Sequence, residues 1–514
     1  MANKLMLLGV AFYLFLIPRI VCAQSALSVR LEPSQYGPYA VGFRSHVMLD
    51  YTRPPLPDEA TAGRKMVVYI WYPTRAGLKP MRVVDYLKNS YAKIGIAQPS
   101  QDTLIEESIK DFGFTGKESS PPAAILQAVT NAYEDAEPLP AIKGVIIYSP
   151  GAGDSGYDNF LLCEVLASEG YVVASSPSIG FSQRTTTPTA KNLEVAARDL
   201  ETVLGYVRAS QPQAATAKVG LMGYSWGGLA AMLVQMRDPR VIGVVSIDGS
   251  VASHQDKAEQ TAWFDVRAMR VPYLFYSAFD TLEKHNRFLE QVHYAPVSHV
   301  HLGKMHHTDF QSFNYVISKF QRDSASTDDA RSGYEAVVKG AAAFFGWCFR
   351  RTQEDLQAFV FPIEGQSRGY SVTTRNAFPS PPSEAVFLEL VRRRGANQAH
   401  QVLDEFRSHD PGLLVFSMQA LAQVGFSIFD EGKHQEGIDV LKLVVDSFPR
   451  NYAPHGYLGS LYEDSGDAQA ALTQYAMALG MAVNDTHEDP IQVKNDIVLF
   501  NSLIEKISKA HRPN

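Results

Sequence analysis

The chain has 514 residues, enough for two to three domains. With 46% hydrophobic and 20% charged residues it has the composition of an ordinary globular protein that can bury a large core. A net charge of −7 and the lack of a dense Lys/Arg run argue against a nucleic-acid binder, which usually presents a basic face.

The first residues form a unit of their own. Lys4, the apolar run at 5–17 and Val21-Cys22-Ala23 follow the pattern of a secretory signal peptide over residues 1–23, cut before Gln24. This predicts a secreted or periplasmic protein. The run falls short of the ~20 apolar residues that span a bilayer, so no stable membrane span is expected after cleavage; an uncleaved anchor is the alternative. Val21 stands where a lipoprotein signal would want a smaller residue. The mature chain would keep Cys163 and Cys348, too few for a disulfide-stapled scaffold. A pair and two free buried thiols both stay open.

Through the middle of the chain, strand and helix patterns alternate. Residues 65–73 (KMVVYIWYP) read as a strand, and GVIIYSPGAG at 144–153 holds a second. After a helix-like segment at 161–168, residues 170–175 give a third, and 195–210 look helical. Strand 218–222 runs into Gly223-Tyr224-Ser225-Trp226-Gly227, followed by a helix-like stretch to 237. Further strands are expected at 241–247, 271–276 and 297–302. Strands separated by helices predict an α/β fold, a mostly parallel sheet with helices on both faces. Residues 86–133 break this rhythm and read as an insertion, either a lid or a surface loop. A packing helix at 334–350 closes a catalytic domain over 24–355. A linker at 356–382 ends in a Pro/Ser-rich run.

Residues 383–514 are purely helical in pattern and repeat. Gly425 and Gly432 recur as Gly459 and Gly466, 34 residues on, with Gly437, Leu441 and Val444 matched by Ala471, Tyr475 and Ala478. A helix–turn–helix period of 34 is the tetratricopeptide signature, and the small residues let paired helices approach closely. His455 replaces the usual aromatic. Two units alone bury too little, so flanking helices are expected to cap them. Such units commonly hold peptide or protein partners.

Gly-x-Ser-x-Gly between a strand and a helix is the arrangement of a nucleophile elbow, with Ser225 at the bend. A serine needs a base, and in this arrangement a histidine follows the last strand. GKMHHTDF offers His306 and His307; His307 is preferred because Phe310 can pack beneath its loop. His299 and His301 alternate along a strand and read as strand histidines rather than metal ligands. An acid must orient the imidazole, and Asp248 and Asp280, each ending a strand, both qualify. Two backbone N–H groups must receive the developing oxyanion. Trp226, next to the nucleophile, supplies one, and Ala152 in the turn at 150–153 the other. No motif implies a metal, nucleotide or redox cofactor.

YSPGAG, GYSWGG, SIDGS and HHTDF, in this order and spacing, together with GPYAVGFRSHVMLD and VVYIWYP, resemble the platelet-activating-factor acetylhydrolase and dienelactone-hydrolase-like branch of the α/β-hydrolases, over about residues 37–350. The resemblance implies Asp248 as the acid, His307 as the base, and Ala152 and Trp226 as oxyanion donors. It also implies cleavage of small acyl esters, short-chain or phospholipid-type. Pro150 departs from the histidine often found there, which puts inherited substrate specificity in question. The helical tail is not part of that core. GYSWGG also resembles prolyl-oligopeptidase-like peptidases, but too little chain precedes the core strands for their propeller. A third reading is a partner-binding adaptor that retains a vestigial hydrolase domain.

Overall fold

The computed structural model describes residues 31–510, apart from positions 76, 78, 95–122, 184–185, 280–285, 321–323, 351–368 and 487. The leader at 1–23, much of the 86–133 insertion, the first half of the 356–382 linker and Asp280 lie outside the described residues. The chain divides into two compact units between Phe378 and Pro379.

The described strands of the first unit are β1 (Ala40–Asp50), β2 (Arg64–Thr74), β3 (Pro80–Arg82), β4 (Val129–Glu134), β5 (Gly144–Ser149), β6 (Tyr171–Ser175), β7 (Val219–Tyr224), β8 (Val241–Ile247), β9 (Tyr273–Ala278), β10 (Val297–Leu302) and β11 (Tyr370–Arg375). They form one sheet in the order β11-β10-β9-β8-β7-β5-β6-β2-β1-β4-β3. Strands β6, β5, β7, β8, β9 and β10 are mutually parallel. β2 runs antiparallel to both β6 and β1. Its sequence shows why it sits inside the sheet: Val67, Tyr69 and Trp71 enter one core, Val68, Ile70 and Tyr72 the other. β6 and β7 flank β5 on opposite sides. The β5–β6 crossover carries the helix Phe160–Ser168 on one face, and the β6–β7 crossover carries Ala190–Ser210 on the other. Where chain direction diverges in this way, a crevice opens at the carboxyl ends of the strands.

Two sequence readings are corrected at the sheet margins. The 86–133 stretch, read as an insertion, contributes the helix Val83–Ile94 and strand β4, which pairs in parallel with β1. The stretch read as linker contributes β11, antiparallel to β10 along its whole length. Both strands are short and bury little: β4 buries Thr130 and Ala132, and β11 leaves Ser371, Thr373 and Thr374 exposed. β11 is an edge strand and β4 is next to the other edge, covered only by the three-residue β3; strands so placed lack the hydrophobic run that marks an interior strand.

The helix Phe160–Ser168 is buried on every side, Glu164 included. Glu164 accepts hydrogen bonds from Tyr86 Oη (2.7 Å), Tyr36 Oη (3.0 Å) and the Asn131 amide (3.0 Å). One carboxyl thus ties the segment before β1, the helix after β3 and strand β4 to the core. Burial pushes its pKa up to about 7, against the opposing pull of these donors. Cys163 beside it and Cys348 are both buried, and neither forms a disulfide.

In the second unit, helices Met418–Asp430 and His434–Ser447 pair, as do Ala453–Asp464 and Ala468–Ala482. A Cβ on Gly437 would lie 2.7 Å from the Gly425 carbonyl, and one on Gly459 would lie 2.7 Å from the Tyr475 ring. Gly432 and Gly466, both at φ +85°, make the turn within each pair. Ser417 and Asp467 cap helix starts by accepting from the amides three residues on. Glu384–Arg407 and Pro490–Ala510 pack at the two ends of this all-α unit.

Because the folded pKa of Glu164 exceeds its unfolded value of about 4.3, the folded state holds an extra proton between the two. Its contribution to stability is therefore full below about pH 4.3 and lost as pH rises through about 7. Burial pushes Asp158 and Asp199 in the same direction, so the contrast with a variant isolates Glu164. Denaturant unfolding of wild type and Glu164→Gln between pH 4.5 and 7.5 should differ in slope. The wild type should lose up to about 3 kcal/mol more across that window. Parallel curves would contradict this account.

Candidate active site

Ser225 lies between β7 and the helix Trp226–Arg237, at φ 52° and ψ −119°. For a residue with a Cβ this backbone costs about 1–3 kcal/mol and persists only where its surroundings enforce it. Here the Ser225 amide donates to Ile247 O (3.0 Å), and the Ser225 carbonyl accepts from Gly228 (3.1 Å) and Ser250 (2.9 Å). The flanking glycines are steric requirements. A Cβ on Gly223 would sit 2.1 Å from Gly227 O, and one on Gly227 would sit 2.0 Å from Ser149 O. A Cβ on Gly228 would meet Ser246 Oγ at 2.6 Å. Tyr224 enters one hydrophobic core and Trp226 the other, so the bend is pinned on both faces of the sheet.

His307 opens a short 3-10 turn after β10, anchored by buried Met305 and Phe310. Its Nε2 is 2.9 Å from Ser225 Oγ, and its Nδ1 is 2.5 Å from Asp248 Oδ2. With Nδ1–H donating to the carboxylate, Nε2 is the acceptor for the serine hydroxyl. The imidazole stacks on Tyr224 (4.9 Å between centroids), whose hydroxyl donates to His307 O at 3.0 Å. Burial raises the Tyr224 pKa well above its ordinary value, so this donor stays protonated. Neighbouring His306 is exposed and caps the turn instead, its amide donating to Asp309 (2.8 Å).

Asp248 follows β8 with φ 43°, a left-handed backbone that aspartate tolerates better than most residues. Its side chain is fully buried, and Oδ1 accepts from the Ala278 amide at the end of β9 (2.8 Å). Of the two acids left open by spacing, Asp248 therefore contacts His307, while Asp280 lies outside the described residues.

The turn after β5 carries Ala152, exposed, next to Gly151, where a Cβ would come within 3.2 Å of the Tyr224 ring. Trp226 is the first residue of its helix, so its N–H has no acceptor one turn back. His299 and His301 share one partner, Ser277 Oγ, at 2.7 and 3.1 Å. Among the described residues no group of three or more His, Cys, Asp or Glu is arranged to hold a metal ion. Sequence reasoning missed three supports of the site: the Tyr224 ring, the Ala278 amide and Ser250, whose Oγ is 3.5 Å from Ser225 Oγ. The tyrosine inside GYSWGG and the serine ending SIDGS were their only signals.

A largely parallel sheet covered on both faces, with a strained serine between strand and helix at its carboxyl edge, gives the first unit the α/β-hydrolase fold. Residues 130–263 match the dienelactone hydrolase family, a span that includes Ser225 and Asp248 and ends before His307. Among solved structures, a ferulic acid esterase from Streptomyces cinnamoneus is 19% identical, with a TM-score of 0.48, covering 68% of this chain and 100% of its own. No curated protein matches the chain.

Replacing Gly227 with alanine drives a Cβ into two backbone carbonyls, Ser149 O and Pro150 O. Gly227→Ala should cost about 3 kcal/mol or more in urea unfolding, at the upper end for overpacking. Gly205→Ala, in open space on the helix Ala190–Ser210, should be neutral or stabilising by up to about 1 kcal/mol. Equal effects at the two positions would show that close approach does not govern the elbow.

Proposed function

We propose that the protein is an exported serine hydrolase of carboxylic esters, with Ser225, His307 and Asp248 as its triad. The observation that carries this reading is the unbroken hydrogen-bond chain from a buried carboxylate through an imidazole to a hydroxyl at a strained bend. Ser225 Oγ attacks the acyl carbonyl while His307 Nε2 takes its proton. The tetrahedral oxyanion is received by the N–H groups of Trp226 and Ala152. The C–O bond to the leaving alcohol breaks as His307 returns the proton. Water then attacks the acyl-enzyme by the same route, releasing the acid and restoring the serine. Asp248 holds the imidazole in the tautomer that each step needs.

The ester preference draws on the family match over residues 130–263. Short-chain and phospholipid-type acyl esters are the substrates the sequence resemblance favours. Export rests on the leader pattern at 1–23. The paired helices of the second unit are offered as a tetratricopeptide-like module that docks a peptide or protein partner, an independent part of the reading.

Ser225→Ala should abolish hydrolysis of short-chain aryl esters and labelling by a fluorophosphonate. Asp248→Asn should lower kcat by about 10³–10⁴-fold by leaving the wrong tautomer at the base. His307→Ala should be as inactive as the serine variant, while His306→Ala should keep most activity. Full labelling of Ser225→Ala, or inactivity confined to His306→Ala, would overturn the assignment.

A further inference from the structure

The first unit carries a second cleft, of about 320 Å³, bounded by the turn after β1 and the helix Ala190–Ser210. That volume falls at the lower end of small-molecule sites, which run from about 300 to 1,000 Å³. Three carboxylates (Asp50, Glu194, Glu201) face three guanidiniums (Arg53, Arg198, Arg237). Arg237 bridges Glu194 (2.9 Å) and Glu201 (2.8 Å), Arg198 reaches Glu194 (3.0 Å), and Arg53 joins Asp50 (2.6 Å). Arg53 is also bound to Asp199 behind it at 2.7 Å. The side chains of Asp50, Arg53 and Arg237 are all about nine-tenths buried, so this is a fixed polar floor. At the rim stands Trp263, 58% exposed.

The chemistry of this lining selects its ligand. The facing charges cancel, and each cation already has its carboxylate. An anion entering the cleft would meet three carboxylates and a cation three guanidiniums, so neither gains a net attraction that offsets its lost hydration. What the floor still offers is a set of oriented N–H donors and carboxylate lone pairs side by side. A neutral molecule bearing many hydroxyls uses both kinds at once, because each hydroxyl donates and accepts. The Trp263 ring adds an exposed apolar plane with a polar edge, suited to the C–H face of a sugar ring. We propose that this cleft binds a neutral carbohydrate, with Trp263 as its stacking platform.

The site is separate from the serine. The helix that begins beside Ser225 ends at Arg237, 12 residues on, which puts the two backbones about 18 Å apart. Binding there does not require Ser225, so the inference stands apart from the triad.

The test is titration of the full-length protein with xylotetraose, cellotetraose and maltotetraose, followed by calorimetry and tryptophan emission. Trp71 and Trp226 are buried and Trp347 is half-buried, so iodide quenching reports mainly on Trp263. At least one of the three should bind saturably, shift the emission to the blue and protect against quenching. Trp263→Ala, at an exposed position, should weaken that affinity by about tenfold or more, and Glu201→Gln by several-fold. Ser225→Ala should bind as wild type does. A tetragalacturonate should bind at least about tenfold more weakly. The proposal fails if none of the three neutral sugars binds at tens of millimolar, if Trp263→Ala binds as well as wild type, or if the anionic sugar binds equally well.

Discussion

The backbone of Ser225 is the constraint to which the rest of the site answers. A side chain at φ 52° is held only because the hydrogen bonds to Ile247, Gly228 and Ser250 leave the bend no other shape. That shape turns β7 into a helix within one residue and brings the helix back so close that Gly227 lies against the end of β5. The three glycines at 223, 227 and 228 are thus consequences of one serine conformation. The same approach sets the turn carrying Ala152 beside the elbow, because that turn is the continuation of β5.

The polar groups of the site are supplied by the carboxyl ends of β5, β7, β8, β9 and β10, whose parallel order delivers them to one edge. Burying Asp248 completely is costly unless both oxygens are satisfied. One takes the Ala278 amide and the other the His307 imidazole. The carboxylate therefore fixes the relative position of three strands as well as the tilt of the ring. Its left-handed backbone is a second strained point at the same edge, one strand from the first.

Much of this was legible in the sequence because the interior strands are long apolar runs and the elbow is a local pattern. The parallel strands after residue 140 came out within a few residues of their observed bounds, and the motif marked Ser225 directly. The choice between His306 and His307 turned on Phe310, which is indeed buried under the loop. What spacing could not decide between was Asp248 and Asp280, which both follow strand-like runs in the sequence; the contact to His307 depends on side-chain direction, which no local pattern encodes. Strands β4 and β11 were missed for another reason. They are made at the margins of the sheet, β11 with one neighbour and β4 with only the three-residue β3 beyond it, and their residues are too polar to announce a strand. The 34-residue spacing in the tail was readable because glycines and a tyrosine at helix contacts tolerate little substitution in size.

Tyr224 shows how closely the parts depend on one another. Its ring lies under the His307 imidazole, its hydroxyl holds the His307 carbonyl, and its edge is close enough to Gly151 that a methyl group there would be crowded. It also precedes the strained serine and anchors that strand end in the core. One buried aromatic thus fixes the distance between the His307 loop, the turn after β5 and the elbow. Because all three contacts involve a rigid ring with two torsions, a shift in any one loop must be transmitted to the others or break a contact. Rigid support of this kind holds the His307 imidazole within hydrogen-bond reach of the Ser225 hydroxyl.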